Sequence, residues 1–227
     1  EGALTRLERQ DPLERARVGL DLVGEARPAF ELALRWLADR RPPPSGDGVV
    51  HGDFRIGNLL VEGDDLRAVL DWELAHLGDP LEDLGWLCVR AWRFGATPEV
   101  GGIGHLDDLL DAYSGARGVP VDPDHVRWWI VAGTLRWGLI CAVQARRHLD
   151  GHVSSVELAT IGRRVCENEH DVLDLIGVGD AEPRPDDRDP DDDARSDVLA
   201  GLHGRPTSVE LIDAVRDHLR DRISPLL

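Results

Sequence analysis

The sequence contains neither methionine nor lysine, and all 26 of its basic residues are arginine. Without lysine, the chain cannot carry a phosphate-binding loop of the form GxxxxGK(S/T), and it cannot form a Schiff base with a carbonyl substrate. Without methionine, Glu1 cannot be an initiator residue. We therefore expect this chain to belong to a longer or processed protein.

Cysteine is scarce as well, and long apolar runs are missing. The three cysteines, Cys88, Cys141 and Cys166, have no CxxC spacing. This pattern favours reduced thiols packed in a cytoplasmic protein over a disulfide framework. The longest apolar stretch, residues 128–143, is interrupted by Arg136 and is shorter than the roughly 20 residues that a membrane span needs. We expect it to form a buried core helix, with no membrane association.

The balance of charge is strongly acidic, with a formal net charge of −17 at pH 7. Such a chain is a poor candidate for nonspecific binding to nucleic acid or to an anionic membrane. Hydrophobic residues make up 42% and charged residues 30%, which is the composition of a globular protein. Part of the acidity lies in residues 179–197, which we expect to form a disordered, proline-containing linker.

Hydrophobic periodicity predicts a mainly α-helical chain with one small β-hairpin. Residues 59–61 and 66–70 are apolar runs separated by the turn sequence EGDD, and Val49 and Val50 form a short β-like pair. After the hairpin, the pattern is almost entirely helical, and a final helix is predicted over 207–222, within a short segment 198–227. The other helices are predicted at residues 28–39, 107–113, 124–149 and 155–176, and one more begins at Pro80 behind the N-cap acid Asp79.

The densest polar cluster surrounds this hairpin, in HGDFRIGN at 51–58 and DWE at 71–73. Asn58 immediately precedes the first strand and Asp71 immediately follows the second. Because antiparallel strands lie about 5 Å apart, the hairpin returns Asp71 to the side of Asn58. Asp53 lies on the loop that enters the same end. Two carboxylates and an amide oxygen form a set suited to Mg²⁺.

Asp53 and Asn58 also have the spacing of the protein-kinase catalytic loop. In such sites the aspartate receives or orients the proton of the attacking hydroxyl, while the asparagine and a later aspartate hold metal ions. Phosphoryl transfer needs mainly positioning and charge compensation, which these residues can supply.

The run HGDFRIGN followed by LDWE resembles the Brenner-type motif of the aminoglycoside phosphotransferase family, which includes choline, homoserine and antibiotic kinases. Residues 71–95 are similar to a narrower branch, related to the kinase domains of certain acyl-CoA dehydrogenases. The resemblance covers residues 1–178 and implies a protein-kinase-like C-terminal lobe of α+β class. It further implies ATP and Mg²⁺ as cofactors and a small-molecule hydroxyl acceptor of the hydroxyacyl-CoA type. An acyl-CoA dehydrogenase in the same pathway is the implied partner.

Carried onto this sequence, the resemblance gives Asp53 the catalytic role and His51 a bracing role in the catalytic loop. Asn58 and Asp71 would bind Mg²⁺ and thereby the nucleotide. Four further side chains are candidates for supporting or substrate-binding roles: Arg55, Glu73, Asp79 and Asp83. Asp79 is equally well interpreted as a helix N-cap, and Asp83 as an acid in the first turn of a helix.

The sequence departs from the family in one respect, because it shows no N-terminal lobe with its strands, nucleotide-covering loop and phosphate-binding lysine. One alternative is therefore a truncated, catalytically silent protein that binds a ligand or partner. A second is a metal-dependent hydrolase that uses the same carboxylates, although only one histidine lies near them. The acidic balance would also suit a cationic acceptor such as an aminoglycoside or choline. The segment 198–227 resembles the beginning of a small helical module.

Overall fold

The computed structural model describes residues 8–63, 65–178 and 208–218. These residues form mainly α-helices, as the periodicity predicts, together with two small sheets. The predicted linker at 179–197 lies outside the described residues. The helices are α1 (Pro12–Val23), α2 (Pro28–Asp39), α3 (Leu81–Leu87), α4 (Leu106–Arg117), α5 (Pro123–Leu149), α6 (Val156–Gly162), α7 (Val165–Leu175) and α8 (Ser208–His218). The strands are β1 (Gly48–Val50), β2 (Leu59–Glu62), β3 (Asp65–Val69) and β4 (His76–Gly78).

The chain divides into two compact units. The first comprises Glu1–Arg15 and Ala33–Thr134, and the second comprises Ala16–Leu32 and Leu135–Leu227. All of the candidate site residues fall in the first unit.

The predicted hairpin is formed by β2 and β3, with Leu59 opposite Val69 and an irregularity in register after Leu60. The N–H of Leu70 donates to the carbonyl of Asn58 at 2.8 Å, so the pairing continues one residue beyond the strands. This contact brings the residues on either side of the hairpin's open end together.

A second sheet corrects the prediction of a single hairpin followed by helices. Strand β1 pairs antiparallel with β4, and Val50 lies opposite His76. A strand of three residues is too short to show an alternating pattern, and β4 is fixed by pairing with a strand distant in sequence. Strand β4 of this second sheet is followed directly by α3.

Close packing fixes α3 in the core of the first unit. A Cβ built at Gly85 would lie 2.4 Å from the Cβ of Trp129, so only glycine lets the backbone of α3 approach α5 this closely. The buried side chains of this core include Leu37, Val50, Leu81, Leu84, Trp86, Val89, Val126 and Trp128. Helix α3 is therefore held by its neighbours along most of its length.

The second unit corrects another prediction, because residues 155–176 form two helices rather than one. Helix α6 ends at Gly162, and the N–H groups of Arg163 and Arg164 donate to carbonyls three residues earlier, which tightens the chain into a turn before α7. The apolar periodicity continues across this turn and conceals it. The buried side chains here include Val23, Phe30, Leu139, Cys141, Val165 and Val172.

Helix α5 meets the length and hydropathy criteria of a membrane span, alone among the described residues. However, 72% of its most apolar window is buried inside the protein, which is the pattern of a core helix. Two of the three cysteines, Cys88 and Cys141, are buried, and burial raises the pKa of each thiol to about 12. The third, Cys166, is exposed.

Candidate active site

The loop at residues 51–58 connects β1 to β2 and ends in a 3₁₀ turn at Ile56–Asn58. Gly52 has a φ of +84°, and a Cβ there would lie 2.5 Å from the carbonyl oxygen of Leu74. A side chain would therefore collide with the backbone that follows the hairpin. Glycine at this position lets the 51–58 loop lie against that segment.

The carboxylate of Asp53 accepts hydrogen bonds from three other side chains. The indole Nε1 of Trp86 donates to Oδ1 at 2.8 Å, and the amide Nδ2 of Asn58 donates to Oδ2 at 2.7 Å. The Nε of Arg55 lies 3.3 Å from Oδ1 and 3.2 Å from Oδ2. The side chain of Asp53 is only 17% exposed. Its carboxylate is thus held at both oxygens and remains within reach of solvent.

Arg55 lies along the same loop. Its guanidinium carbon is 5.1 Å from the centroid of the Trp92 ring, and its side chain is 30% exposed. A Cβ at Gly57 would lie 2.4 Å from Nη1 of Arg55, so the glycine leaves space for the guanidinium. The structure therefore places this predicted supporting residue directly against Asp53.

Asn58 and Asp71 both lie at the open end of the hairpin, where the N–H of Leu70, the residue before Asp71, donates to the carbonyl of Asn58. Asn58 is buried, and its Nδ2 also donates to the backbone carbonyl of Asp53 at 2.8 Å. Its Oδ1 accepts no hydrogen bond from any residue that the structure describes. Asp71 is exposed, forms no ion pair or hydrogen bond with the described residues, and has a left-handed φ of +69°. Non-glycine residues in this conformation are costly and cluster at functional sites.

These two oxygen-bearing side chains are of the chemical type that suits a magnesium ion. No group of three His, Cys, Asp or Glu side chains within the described part of the chain could hold a metal by itself. Mg²⁺ needs no such cage, because it is usually bound through one or two protein oxygens together with waters and substrate phosphates. The amide oxygen of Asn58 and the carboxylate of Asp71 supply that number of ligands.

His51 has both ring nitrogens engaged by the backbone. Its Nε2 lies 2.8 Å from the carbonyl oxygen of Leu70, and its Nδ1 lies 3.1 Å from the N–H of Asp53. Because a carbonyl can only accept, Nε2 carries the proton and Nδ1 accepts. The ring is 2% exposed and packs 4.6 Å from the ring of Trp72. His51 therefore connects the loop to the hairpin and leaves no nitrogen free for a metal.

Asp83 anchors the backbone of the same loop from α3. Its Oδ2 accepts the N–H of His51 at 2.7 Å, and its Oδ1 accepts the N–H of Gly52 at 3.0 Å. Burial raises the pKa of Asp83, although the two backbone hydrogen bonds oppose this effect. Of the two interpretations left open for Asp83, these contacts favour a role at the site.

The other two candidate acids do not reach the loop. Asp79 accepts hydrogen bonds from the N–H and hydroxyl of Ser45 and from the N–H of Leu81 at 3.0 Å. Its contacts thus place Asp79 at the beginning of α3, one residue before the observed N-cap Pro80. Glu73 lies exposed in the 3₁₀ turn Trp72–Leu74 and forms no side-chain hydrogen bond with the described residues.

A buried ionic cluster next to Asp83 was not predicted. The carboxylate of Glu82 accepts from Arg15 at 2.5 Å and lies 3.2 Å from Nε2 of His76, whose Nδ1 lies 3.0 Å from the carbonyl of Leu74. Burial by itself would raise the pKa of Glu82, but the hydrogen bond with His76 and the charge of Arg15 lower it below its usual value. The cluster joins β4 to α3. The adjacent acids of LEDLGW were the only sequence signal for it, and nothing in that signal identified their partners.

Nothing in the sequence indicated that Trp86 belongs to the site. Its position three residues after Asp83 places both side chains on one face of α3. A tryptophan in an apolar helix is readily interpreted as core, and the direction of its indole N–H depends on tertiary packing.

Comparisons with known proteins agree with this geometry. Residues 2–129 match the model of a family described as the phosphotransferase enzyme family, APH. Mouse acyl-CoA dehydrogenase family member 10 is 29% identical over 148 residues, and mouse acyl-CoA dehydrogenase family member 11 is 32% identical over 142 residues. The matches cover 60% and 56% of this chain but only 14% and 18% of those relatives. The chain therefore spans less than a fifth of the length of these relatives.

Solved structures show the same fold. A Ralstonia eutropha JMP134 protein that carries the provisional name aminoglycoside phosphotransferase superimposes with a TM-score of 0.63 at 25% identity, over 78% of this chain and 58% of its own. A choline/ethanolamine kinase family protein from Mesorhizobium loti gives 0.51 at 17% identity, over 78% of this chain and 61% of its own. The expected kinase-like, mainly helical lobe is confirmed. From its motif, its fold and its family match, the chain belongs to the phosphotransferase enzyme family.

Proposed function

We propose that this protein transfers the γ-phosphoryl group of ATP to a hydroxyl group of a small molecule. One observation supports this most directly: Asp53 is held at both oxygens, while Oδ1 of Asn58 and the carboxylate of Asp71, at the open end of the adjoining hairpin, have no protein partner among the described residues. A carboxylate prepared for a hydroxyl and two oxygens open to a metal are the parts that phosphoryl transfer requires.

In the proposed reaction, the acceptor hydroxyl lies within hydrogen-bond reach of Asp53. The hydroxyl oxygen forms a bond to the γ-phosphorus while the bond from that phosphorus to the β,γ-bridging oxygen breaks, and ADP leaves. The proton of the hydroxyl passes to the carboxylate of Asp53. The donors around Asp53 keep this carboxylate oriented, so that little reorganisation accompanies the transfer.

Asn58 and Asp71 are the residues that would hold Mg²⁺. When bound, the ion neutralises negative charge on the phosphates of the nucleotide. His51 and Asp83 act on the site by fixing the loop that carries Asp53. His51 connects this loop to the hairpin, and Asp83 connects it to α3.

For the acceptor, we propose a hydroxyacyl-CoA. Two relatives carry the name of acyl-CoA dehydrogenases, whose substrates are acyl-CoA thioesters, and the 71–95 segment resembles the same branch. An acyl-CoA dehydrogenase in the same pathway is the corresponding partner. A cationic acceptor such as choline or an aminoglycoside remains the competing candidate, since the net charge of −17 would favour it.

The test is ADP release by the intact protein with Mg²⁺, ATP and a panel of hydroxyacyl-CoA thioesters, choline and aminoglycosides. Asp53→Asn removes the proton acceptor but keeps the size of the side chain, so we expect the turnover rate to fall roughly 10²- to 10⁴-fold. Asp65→Asn is the matched control, because Asp65 is an exposed acid on β3 that pairs only with Arg67 at 3.5 Å among the described residues.

The control variant should retain the wild-type rate with the same acceptor. Turnover by Asp53→Asn at the wild-type rate would contradict the proposed function. A protein that binds a member of the panel without releasing ADP would instead support the catalytically silent alternative.

A further inference from the structure

Helix α3 reaches the carboxylate of Asp53 through a single side chain, Trp86. The indole is 2% exposed, and its Nε1–H donates to Oδ1 at 2.8 Å. An indole N–H is a donor only and does not titrate in the range where proteins fold. The indole of Trp86 therefore remains a hydrogen-bond donor throughout the pH range in which the protein folds.

The indole is also fixed in place by packing. Its ring lies 5.3 Å from the ring of Trp92, and a Cβ built at Gly133 of α5 would lie 3.4 Å from Cε3 of Trp86. The preceding residue, Gly85, brings α3 against Trp129. A side chain enclosed in this way cannot change rotamer without displacing its neighbours.

The other two donors to Asp53 differ from Trp86 in both respects. Asn58 and Arg55 belong to the same loop as Asp53, so they move with it. Asn58 would bind the metal, and the partly exposed Arg55 carries a positive charge that phosphates attract. Both side chains are thus placed to engage a metal–nucleotide complex, whereas Trp86 ties the carboxylate to a buried helix outside the loop.

We propose that Trp86 is a positioning residue that fixes the orientation of the Asp53 carboxylate independently of the nucleotide. The proposal rests on the proposed function, because it assigns Trp86 an effect on the transfer step through Asp53. It predicts that loss of the indole N–H slows transfer without weakening the binding of ATP.

The experiment compares the wild type with Trp86→Phe, Asp53→Asn and the double variant, in the intact protein, with the best acceptor of the panel. The matched control is Trp128→Phe. Trp128 is equally buried and donates to the carbonyl of Leu37 at 3.0 Å, so this variant also loses a buried indole hydrogen bond but leaves Asp53 untouched. Each variant is measured for kcat, for the KM of ATP and for its midpoint of unfolding in urea.

We expect Trp86→Phe to lower kcat by roughly tenfold to a hundredfold, with the KM of ATP changed by less than about twofold. In the Asp53→Asn background the same substitution should cause no further loss, because Trp86 acts through Asp53. Trp128→Phe should lower the unfolding midpoint and keep the wild-type kcat. An unchanged kcat in Trp86→Phe, or equal losses in both backgrounds, would overturn the proposal.

A measurement without turnover separates this proposal from the proposed function. In protein labelled with ¹⁵N at the tryptophan indoles, the Trp86 N–H resonance should shift between wild type and Asp53→Asn, while that of Trp128 stays in place. An unmoved Trp86 resonance overturns the proposal even if the protein is an active kinase. A shifted resonance supports the contact even if no member of the panel is phosphorylated, in which case the proposed function fails and the effect of Trp86 on transfer fails with it. Neither readout depends on Trp86→Phe being stable.

Discussion

At the scale of single residues, three aspartates of the same site differ only in their surroundings. Asp53 is held by side-chain donors, Asp83 accepts two backbone N–H groups, and Asp71 has no partner among the described residues. A carboxylate saturated by the backbone serves as an anchor, and one without partners is open to a ligand. The residue type alone could not have distinguished these tasks.

Asp71 offers a first prediction at this scale. Asp71→Asn removes the only negative charge among the two proposed metal ligands, so the affinity for ADP in the presence of Mg²⁺ should fall at least tenfold, about 1.4 kcal/mol. Isothermal titration with and without Mg²⁺ measures this effect. Because the Asp71 side chain forms no hydrogen bond or ion pair within the described part of the chain, the unfolding midpoint of the variant should stay close to that of wild type.

In Asp65→Asn, the matched control on the same hairpin, the affinity should be unchanged. Equal Mg²⁺-dependent affinity for ADP in Asp71→Asn and wild type would remove Asp71 from the metal site.

Gly52 gives the second prediction, which concerns stability. Gly52→Ala places a methyl group 2.5 Å from the carbonyl oxygen of Leu74 in a left-handed backbone, and we expect a loss of about 3 kcal/mol. Gly63→Ala is the control, because Gly63 is also left-handed but a Cβ there meets nothing within 4 Å. It should cost only about 1 kcal/mol. Urea unfolding measures the loss of unfolding free energy in both variants, and the difference between the two losses is the steric contribution at Gly52. Equal losses would contradict the prediction, because they would show that the 51–58 loop shifts to accommodate the methyl group.

At the scale of elements, the sequence was informative where contacts are local and uninformative where they are not. The β2–β3 hairpin was predicted within a residue of its observed bounds, because turn and strands are adjacent in the chain. Strand β4 was missed, because its partner β1 is distant and three residues carry no period. The break between α6 and α7 was missed, because a tightened turn preserves the apolar spacing. The contact from α3 to Asp53 could not be predicted, because periodicity gives burial and not the direction of an indole N–H.

The buried cluster around Glu82 gives a prediction for α3 as an element. Glu82→Gln removes the charge that faces Arg15 and His76, so we expect a loss of about 3 kcal/mol at pH 7. The folded state holds the pKa of Glu82 below its usual value of 4.5, so the stability it contributes is present above that pH. It is lost as the pH falls through the lowered pKa of the folded state.

The difference in unfolding free energy between wild type and Glu82→Gln should therefore be constant from pH 7 to about 5 and should narrow below the usual pKa of a glutamate. Glu14→Gln, which changes an exposed acid in the first turn of α1, is the control and should cost under about 0.5 kcal/mol at every pH. A gap between wild type and Glu82→Gln that widens as the pH falls would contradict the ionic account of this cluster.

At the scale of the whole molecule, the chain has a phosphotransferase fold, and its 26 basic residues are all arginine. Any positive charge that meets a phosphate on this chain must therefore come from a guanidinium, a histidine or a bound metal. The match to 14–18% of the length of the acyl-CoA dehydrogenase relatives indicates that the shared part is a module within those larger proteins. The choice of acceptor is thus the property of the whole protein that most needs measurement.

The most direct test follows the fate of the γ-phosphoryl group by ³¹P NMR in a mixture of the intact protein, Mg²⁺, ATP and the acceptor panel. The account predicts a new phosphomonoester resonance that grows at the same rate as ADP, and its absence with Asp53→Asn. If ATP yields only inorganic phosphate, or is not consumed with any acceptor, the central claim that this protein is a small-molecule kinase is contradicted.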